Sequence, residues 1–181
     1  MSAPAEPTYL LNDHPARIAE DELMKSCKIR FGRASGPGGQ HRNKVETAVR
    51  IEHLPSGIEA AATETRSQKD NRKKALFRLR IRLATRISVK NAASLSPSDL
   101  WRKRCQNQKL VCNPEHEDAP ALLAELWGVL SSADFDLAAA AQQLDCTSSQ
   151  IVKFLGQISE ARERIQEERR NRSLAPLKFR S

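Results

Sequence analysis

The chain has 181 residues, with 30 Lys+Arg against 22 Asp+Glu and a formal charge of +8. That length closes one or two small cores and is too short for a large enzyme barrel, and the positive balance points to an acidic partner such as nucleic acid. No run of about 18 uncharged apolar residues is present, and Glu6, Asp13, Glu20, Asp21 and Glu22 argue against a signal or transit peptide. The expected setting is therefore the cytoplasm, away from any membrane.

The charge is unevenly spread. Residues 31–110 hold 18 basic and 6 acidic side chains, whereas residues 1–30 are net −1 and residues 111–181 net −3. A polyanion-binding surface is thus expected in the middle segment. The four cysteines, Cys27, Cys105, Cys112 and Cys146, form no CxxC and indicate neither a disulfide framework nor a redox motif.

Residues 1–18, with Pro4, Pro7 and Pro15, read as a flexible N-terminal arm, and 19–26 as a short helix with an acidic first turn. Residues 27–31 alternate as a strand does, 47–54 alternate again, and Pro55-Ser-Gly57 turns the chain into a further strand over 58–63. From Ser67, a plausible N-cap, to about Ile87 the period becomes helical. Leu76, Leu79, Leu83 and Ile87 form an apolar face, opposite a basic ridge of Lys74, Arg78, Arg82 and Arg86 that is expected to stay outside. Residues 91–118 are polar and read as a linker. Beyond Pro120, the segments 121–130, 136–144 and 148–170 read as three helices, with Asp134 and Ser148 as caps. The predicted fold is α+β: a small antiparallel sheet covered by a long basic helix, with a projecting loop, plus a C-terminal all-α appendage of three helices. The division expected is an arm over 1–18, a catalytic domain over 19–90, a linker over 91–118, a helical module over 119–170 and a weakly basic tail over 171–181.

The loop Ser35-Gly-Pro-Gly-Gly-Gln40 carries the chemistry. Three glycines and a proline in five residues leave little side chain to pack, so the loop must approach something with its backbone. A dinucleotide or Walker phosphate loop is excluded, because the third glycine and the Lys-Ser/Thr those motifs need are missing. Gln40 has a neutral amide, which serves as neither general base nor effective nucleophile.

This segment resembles the GGQ motif of class I peptide chain release factors. The resemblance continues through Asn43-Lys44, Thr47-Ala-Val49, Pro55-Ser-Gly57-Ile58 and Arg66-Ser-Gln68, then Asn71-Arg72, Ala75-Leu76, Leu79 and Leu83, and covers about residues 27–87. It departs at Arg42, where valine is common in the family. Neither stop-codon tripeptide of decoding release factors, Pro-x-Thr or Ser-Pro-Phe, occurs; Ser96-Pro-Ser98 comes nearest. The chain is in this respect similar to the short codon-independent proteins that rescue stalled ribosomes. The resemblance implies ribosome-dependent hydrolysis of the peptidyl-tRNA ester, with the large-subunit rRNA of the peptidyl transferase centre and peptidyl-tRNA as partners. It implies no cofactor or metal, and a monomer. Gly38 and Gly39 would admit the backbone to that centre, the Gln40 N–H would donate to the developing oxyanion, and its side chain would place water. In the family this glutamine is also a site of N5-methylation, so a glutamine methyltransferase is a further implied partner. Arg33, Arg42, Lys44, Arg66, Lys69, Arg72, Lys73, Lys74, Arg78 and Arg82 are the candidates for contacting RNA phosphates without reading bases. The alternative function is a non-catalytic ribosome- or RNA-binding module that keeps the fold without the chemistry.

Other constellations are weaker. Cys105, Cys112 and His116 lack a fourth ligand at zinc spacing, and His41 and His53 read as structural or RNA-facing. Residues 137–155 have the outline of a helix-turn-helix, but the second helix offers Lys153 and no arginine in a net acidic region, so a packed helical module is expected. Residues 160–181, with 7 basic and 4 acidic side chains, are a diluted version of the basic tail of stand-alone bacterial rescue hydrolases.

Overall fold

The computed structural model describes residues 8–32 and 47–179. A strand β1 (Thr8–Tyr9), a 3-10 turn (Leu11–Asp13) and helix α1 (Glu20–Lys25) lead into β2 (Cys27–Gly32), β3 (Ala48–His53) and β4 (Ile58–Ala62). The last three make an antiparallel sheet in the order β2-β3-β4. Alternation sends Val49, Ile51, Ala60 and Ala62 inward, where all are buried. On the outer face Arg30 stands directly opposite Arg50. Each is relieved by a diagonal carboxylate, Arg30 by Glu52 at 3.1 Å and Arg50 by Glu59 at 2.6 Å. The β3–β4 turn closes through Gly57 at φ +67, a left-handed conformation that glycine adopts without steric cost.

Helix α2 (Gln68–Arg86) begins at Ser67, whose hydroxyl accepts from the Asp70 N–H at 3.1 Å. Ala75, Leu76, Leu79 and Leu83 are buried along it, each large side chain stabilising the contact by about 1.5–3 kcal/mol. The basic ridge stays outside, with Lys74, Arg78 and Arg86 exposed and Arg82 partly so, but two of its arginines are tied to the sheet. Arg78 donates to Ala61 O at 2.9 Å and Arg82 to Glu59 O at 2.6 Å, so both arginines cap carbonyls on the free edge of β4. The match is geometric: the four residues from Arg78 to Arg82 rise about 6 Å and two strand residues span about 6.6 Å. An unpaired edge is open to foreign strands unless covered, and arginine stems are long enough to reach it.

The second half continues with β5 (Ser88–Val89), a 3-10 turn (Ala92–Ser94), α3 (Asp99–Arg104) and the hairpin β6 (Cys105–Gln106) and β7 (Lys109–Leu110). It ends with α4 (Ala119–Ser132), α5 (Leu137–Gln143), α6 (Ser148–Gln157) and α7 (Ser159–Asn171). Residues 119–130 are all buried, so α4 is enclosed on every side, with Glu125 its one buried charge, and forms the centre of the molecule. One continuous core runs from the sheet through α2 to α4–α7.

Four sequence readings meet a different arrangement here. The stretch 91–118 carries α3 and a hairpin and supplies Trp101, which is 1% exposed and donates its indole N–H to Leu144 O at 2.8 Å. A single buried tryptophan in a polar stretch gives no periodic signal. Within the arm, β1 pairs in parallel with β5, and His14 and Ala16 are buried. The span 148–170 is two helices, broken at Ile158, whose backbone is extended at φ −110, ψ 107. Buried Ile151, Phe154, Leu155, Ile158, Ala161 and Ile165 keep helical spacing across the break, which hides it from the sequence. The caps fall at Asp136, which accepts from the Ala138 and Ala139 N–H groups, and at Thr147, which accepts from Gln150, rather than at Asp134 and Ser148.

Two polar residues anchor these parts. Glu125, fully buried in α4, accepts from Arg17 at 3.1 Å, from the Ser98 N–H at 2.7 Å and from the Ser98 hydroxyl at 2.5 Å. It joins the N-terminal segment and the start of α3 to the central helix. The tail folds back: Gln166 exchanges two hydrogen bonds with the Leu177 backbone, and the Phe179 ring lies where a Cβ on Gly156 would stand, 2.7 Å from its Cδ1.

Candidate functional site

The site is framed by the end of the sheet at which β2 stops and β3 starts. Gly32 pairs with Ala48 and Phe31 with Val49, so the chain leaves and returns at one point. Gly38, Gly39 and Gln40, with Arg33, Arg42, Lys44 and His41, lie outside the described residues. What the structure does define is the frame that holds both ends of that segment.

The first turn of α2 reaches this point through Asn71, which is 0% exposed. Its amide nitrogen donates to Thr47 O at 2.7 Å and to Thr65 O at 2.8 Å, and its amide oxygen accepts from the Thr65 N–H and the Thr65 hydroxyl, both at 3.0 Å. All four hydrogen-bonding positions of the side chain are used, so a polar group that is costly to bury becomes a specific joint. It ties together the residue before β3, the β4–α2 turn and the helix start. The sequence reading gave Asn71 no role. The available signal was a polar residue four positions before Ala75 and eight before Leu79, on the apolar face of the helix.

Around the same helix end, Arg66, Lys69, Lys73 and Lys74 are exposed and meet no carboxylate among the described residues. Cations at a helix N-terminus oppose the macrodipole, which prefers anions there by about 0.3–1 kcal/mol. Asp70 is the one carboxylate in the first turn, so these four cations leave a net positive charge beside the mouth. Arg72, in the same region, pairs with Glu20 at 3.1 Å. Arg78 pairs with Glu64 as well as Ala61 O, and Arg82 lies 3.4 Å from Glu160 on α7 as well as bonding Glu59 O. The ten basic candidates thus divide into three outside the described residues, four free at the mouth and three held within the fold.

His53 points away from this chemistry: it is buried and its Nδ1 lies 2.8 Å from the Ser56 hydroxyl, and burial lowers its pKa. The Cys105 thiol faces Asp145 O, the Cys112 thiol Asn113 O, and the His116 ring Arg104, so these three residues do not converge.

A family profile described as the RF-1 domain matches residues 17–112, more than half of the chain. The chain belongs to the RF-1 domain family. The RF-1 match includes the sheet, α2, α3 and the β6–β7 hairpin. Relatives of the same segment include peptide chain release factor 1 of Granulibacter bethesdensis, 63% identical over 71 residues, which are 39% of this chain and 19% of that protein. The chloroplastic release factor PrfB1 of Arabidopsis thaliana is 56% identical over 66 residues, 36% of this chain and 14% of that protein. Peptide chain release factor 2 of Lactiplantibacillus plantarum is 52% identical over 72 residues, 40% of this chain and 19% of that protein. The RF-1 chain therefore spans less than a fifth of the length of each of these relatives. Among its described residues no helix is long and apolar enough to cross a membrane.

Proposed function

We propose that the chain hydrolyses the ester of peptidyl-tRNA on the ribosome and releases the nascent peptide without reading a stop codon, as a rescue factor for stalled ribosomes. The observation that carries the reading is Gly38-Gly39-Gln40, set between two strands of an RF-1 domain. The codon-independent form rests on the sequence, which holds neither Pro-x-Thr nor Ser-Pro-Phe.

Gln40 supplies placement in this mechanism and takes no proton. Its backbone N–H donates to the oxyanion that forms as water attacks the ester carbonyl, and its side chain orients that water. The ester C–O bond then breaks, the tRNA ribose hydroxyl leaves with a proton and the peptide leaves as its carboxylic acid. One donor aimed at a developing oxyanion is worth roughly 10²–10³ in rate. The ribosomal peptidyl transferase centre supplies the remaining surroundings, so the free protein is expected to be nearly inert. Arg66, Lys69, Lys73 and Lys74, with Arg33, Arg42 and Lys44, neutralise rRNA phosphates and hold the motif in register. N5-methylation of Gln40 by a glutamine methyltransferase belongs to the same proposal.

The test uses ribosomes stalled on truncated mRNA with labelled peptidyl-tRNA. Wild type is expected to release the label, and Gln40→Ala or Gly39→Ala to slow single-turnover release by about 10²-fold or more. Equal rates for all three proteins, or salt-sensitive binding with no release by wild type, overturn the reading and favour a binding module.

A further inference from the structure

We infer that Asn71 is a positioning residue that fixes where the chain enters β3, through its bond to the backbone at Thr47. The inference rests on the release reading for its kinetic consequence and on the observed joint for its structural one. Asn71 is fully buried, yet it sits in the first turn of a helix, where an alanine would serve helix formation better. Its partners are not random. Thr47 O belongs to the residue just before β3, and Thr65 N–H, hydroxyl and carbonyl belong to the turn that aims α2. Thr65 is itself held, because its hydroxyl shares its one proton between the Asn71 amide oxygen and Ser67 O, each at 3.0 Å, and accepts from the Ser67 N–H at 3.2 Å. Ser67 in turn caps the helix. The path from the α2 N-cap to Thr47, the residue before β3, is therefore a single hydrogen-bonded relay, with Asn71 at its centre. The sheet ladder fixes β2 against β3 up to the pairing of Gly32 with Ala48; Asn71 adds the link to the helix that bears the free cations.

A motif placed about 1 Å away from its productive geometry loses on the order of 10²-fold in rate. Asn71→Ala is expected to lower single-turnover release at saturating protein by at least tenfold, with the ribosome affinity within about twofold of wild type. Thr65→Val, which removes one of the two bonds to the Asn71 oxygen, is expected to give a smaller fall of the same kind. Ile165→Val in the buried face of α7, a core change far from the joint, is the control for a general loss of stability and should leave both quantities unchanged. A parallel loss of rate and affinity in Asn71→Ala and Thr65→Val, or unchanged release in both, overturns the inference. Amide hydrogen exchange at Ala48 and Val49 separates it from the release reading. If wild type releases nothing, faster exchange there in Asn71→Ala than in Ile165→Val still supports the joint, and equal exchange overturns it.

Discussion

Along α2 the first two turns and the last three carry the same kind of charge in different company. Lys69, Lys73 and Lys74 are exposed and meet no carboxylate among the described residues, and Arg66 just before the helix is the same. Arg78 and Arg82 cap the β4 edge, Arg80 donates to Ile18 O, and Arg86 pairs with Glu160 at 2.7 Å. Within α2 the cations that meet no carboxylate among the described residues are lysines, and Arg72, in the same first turns, pairs with Glu20. A flexible ammonium stem suits a diffuse phosphate surface, whereas the planar fork of a guanidinium suits fixed carbonyl and carboxylate partners. Net charge alone would treat both ends alike; only the first turns carry cations that meet no carboxylate among the described residues.

The contrast breaks most visibly at the structural end. Glu125 holds Arg17 and Ser98 from within α4, and removing one partner of a buried, fully bonded charge costs about 3–5 kcal/mol. Glu125→Ala is accordingly expected to lower the thermal midpoint by on the order of 10 °C. A shift of a degree or two in a melting curve would mean the network is not an anchor.

His14 gives the next largest effect. Its Nε2 donates to Ile87 O, just beyond α2, and its Nδ1 accepts from the Ala16 N–H, so the neutral ring satisfies both neighbours. Burial lowers its pKa from 6.5 to about 4, with smaller contributions from the Ile87 carbonyl, which raises it, and from Arg17 and His53, which lower it. The unfolded chain therefore binds the extra proton between those values, and stability falls as pH drops from about 6.5 towards 4. At about 1.4 kcal/mol per unit the loss is on the order of 3 kcal/mol. Urea titrations of wild type and His14→Gln across this range are expected to diverge, the variant having the shallower slope. Equal slopes would show that the imidazole is not held neutral.

The smallest stability effects sharpen the comparison itself. Glu160→Gln, which loosens Arg82 and Arg86 at a partly exposed position, should cost about 1 kcal/mol or less and leave ribosome binding unchanged. Lys69→Gln with Lys73→Gln should alter stability by no more than about 0.5 kcal/mol. The same pair should lower the slope of log affinity against log salt by about 0.7–0.9 per charge removed. If the glutamate change weakens binding as much as the lysine pair does, the two ends of the helix are not distinct.

Much of this was legible in residue order. Period-two alternation over 27–31 and 47–54 marked β2 and β3, and Ser67 before a period of 3.6 marked the start of α2 within a residue. The motif at 38–40 is readable because chemistry that depends on bare backbone requires glycine in the sequence itself. Asn71 was readable only as an oddity, since one polar residue on an apolar face does not say which backbone groups it meets.

Residue order by itself determined the elements whose cause is local: alternation, helical spacing, a capping serine and a glycine-rich connection. The tertiary structure decided which charges stay free, because whether an arginine meets solvent or an edge carbonyl depends on a strand distant in the chain. It likewise decided that 91–118 and the C-terminal helices share one core with the sheet, since Trp101 and α4 find their partners only when remote segments close around them. Long-range burial leaves no periodic trace, and that is why the frame around the motif had to be seen in three dimensions.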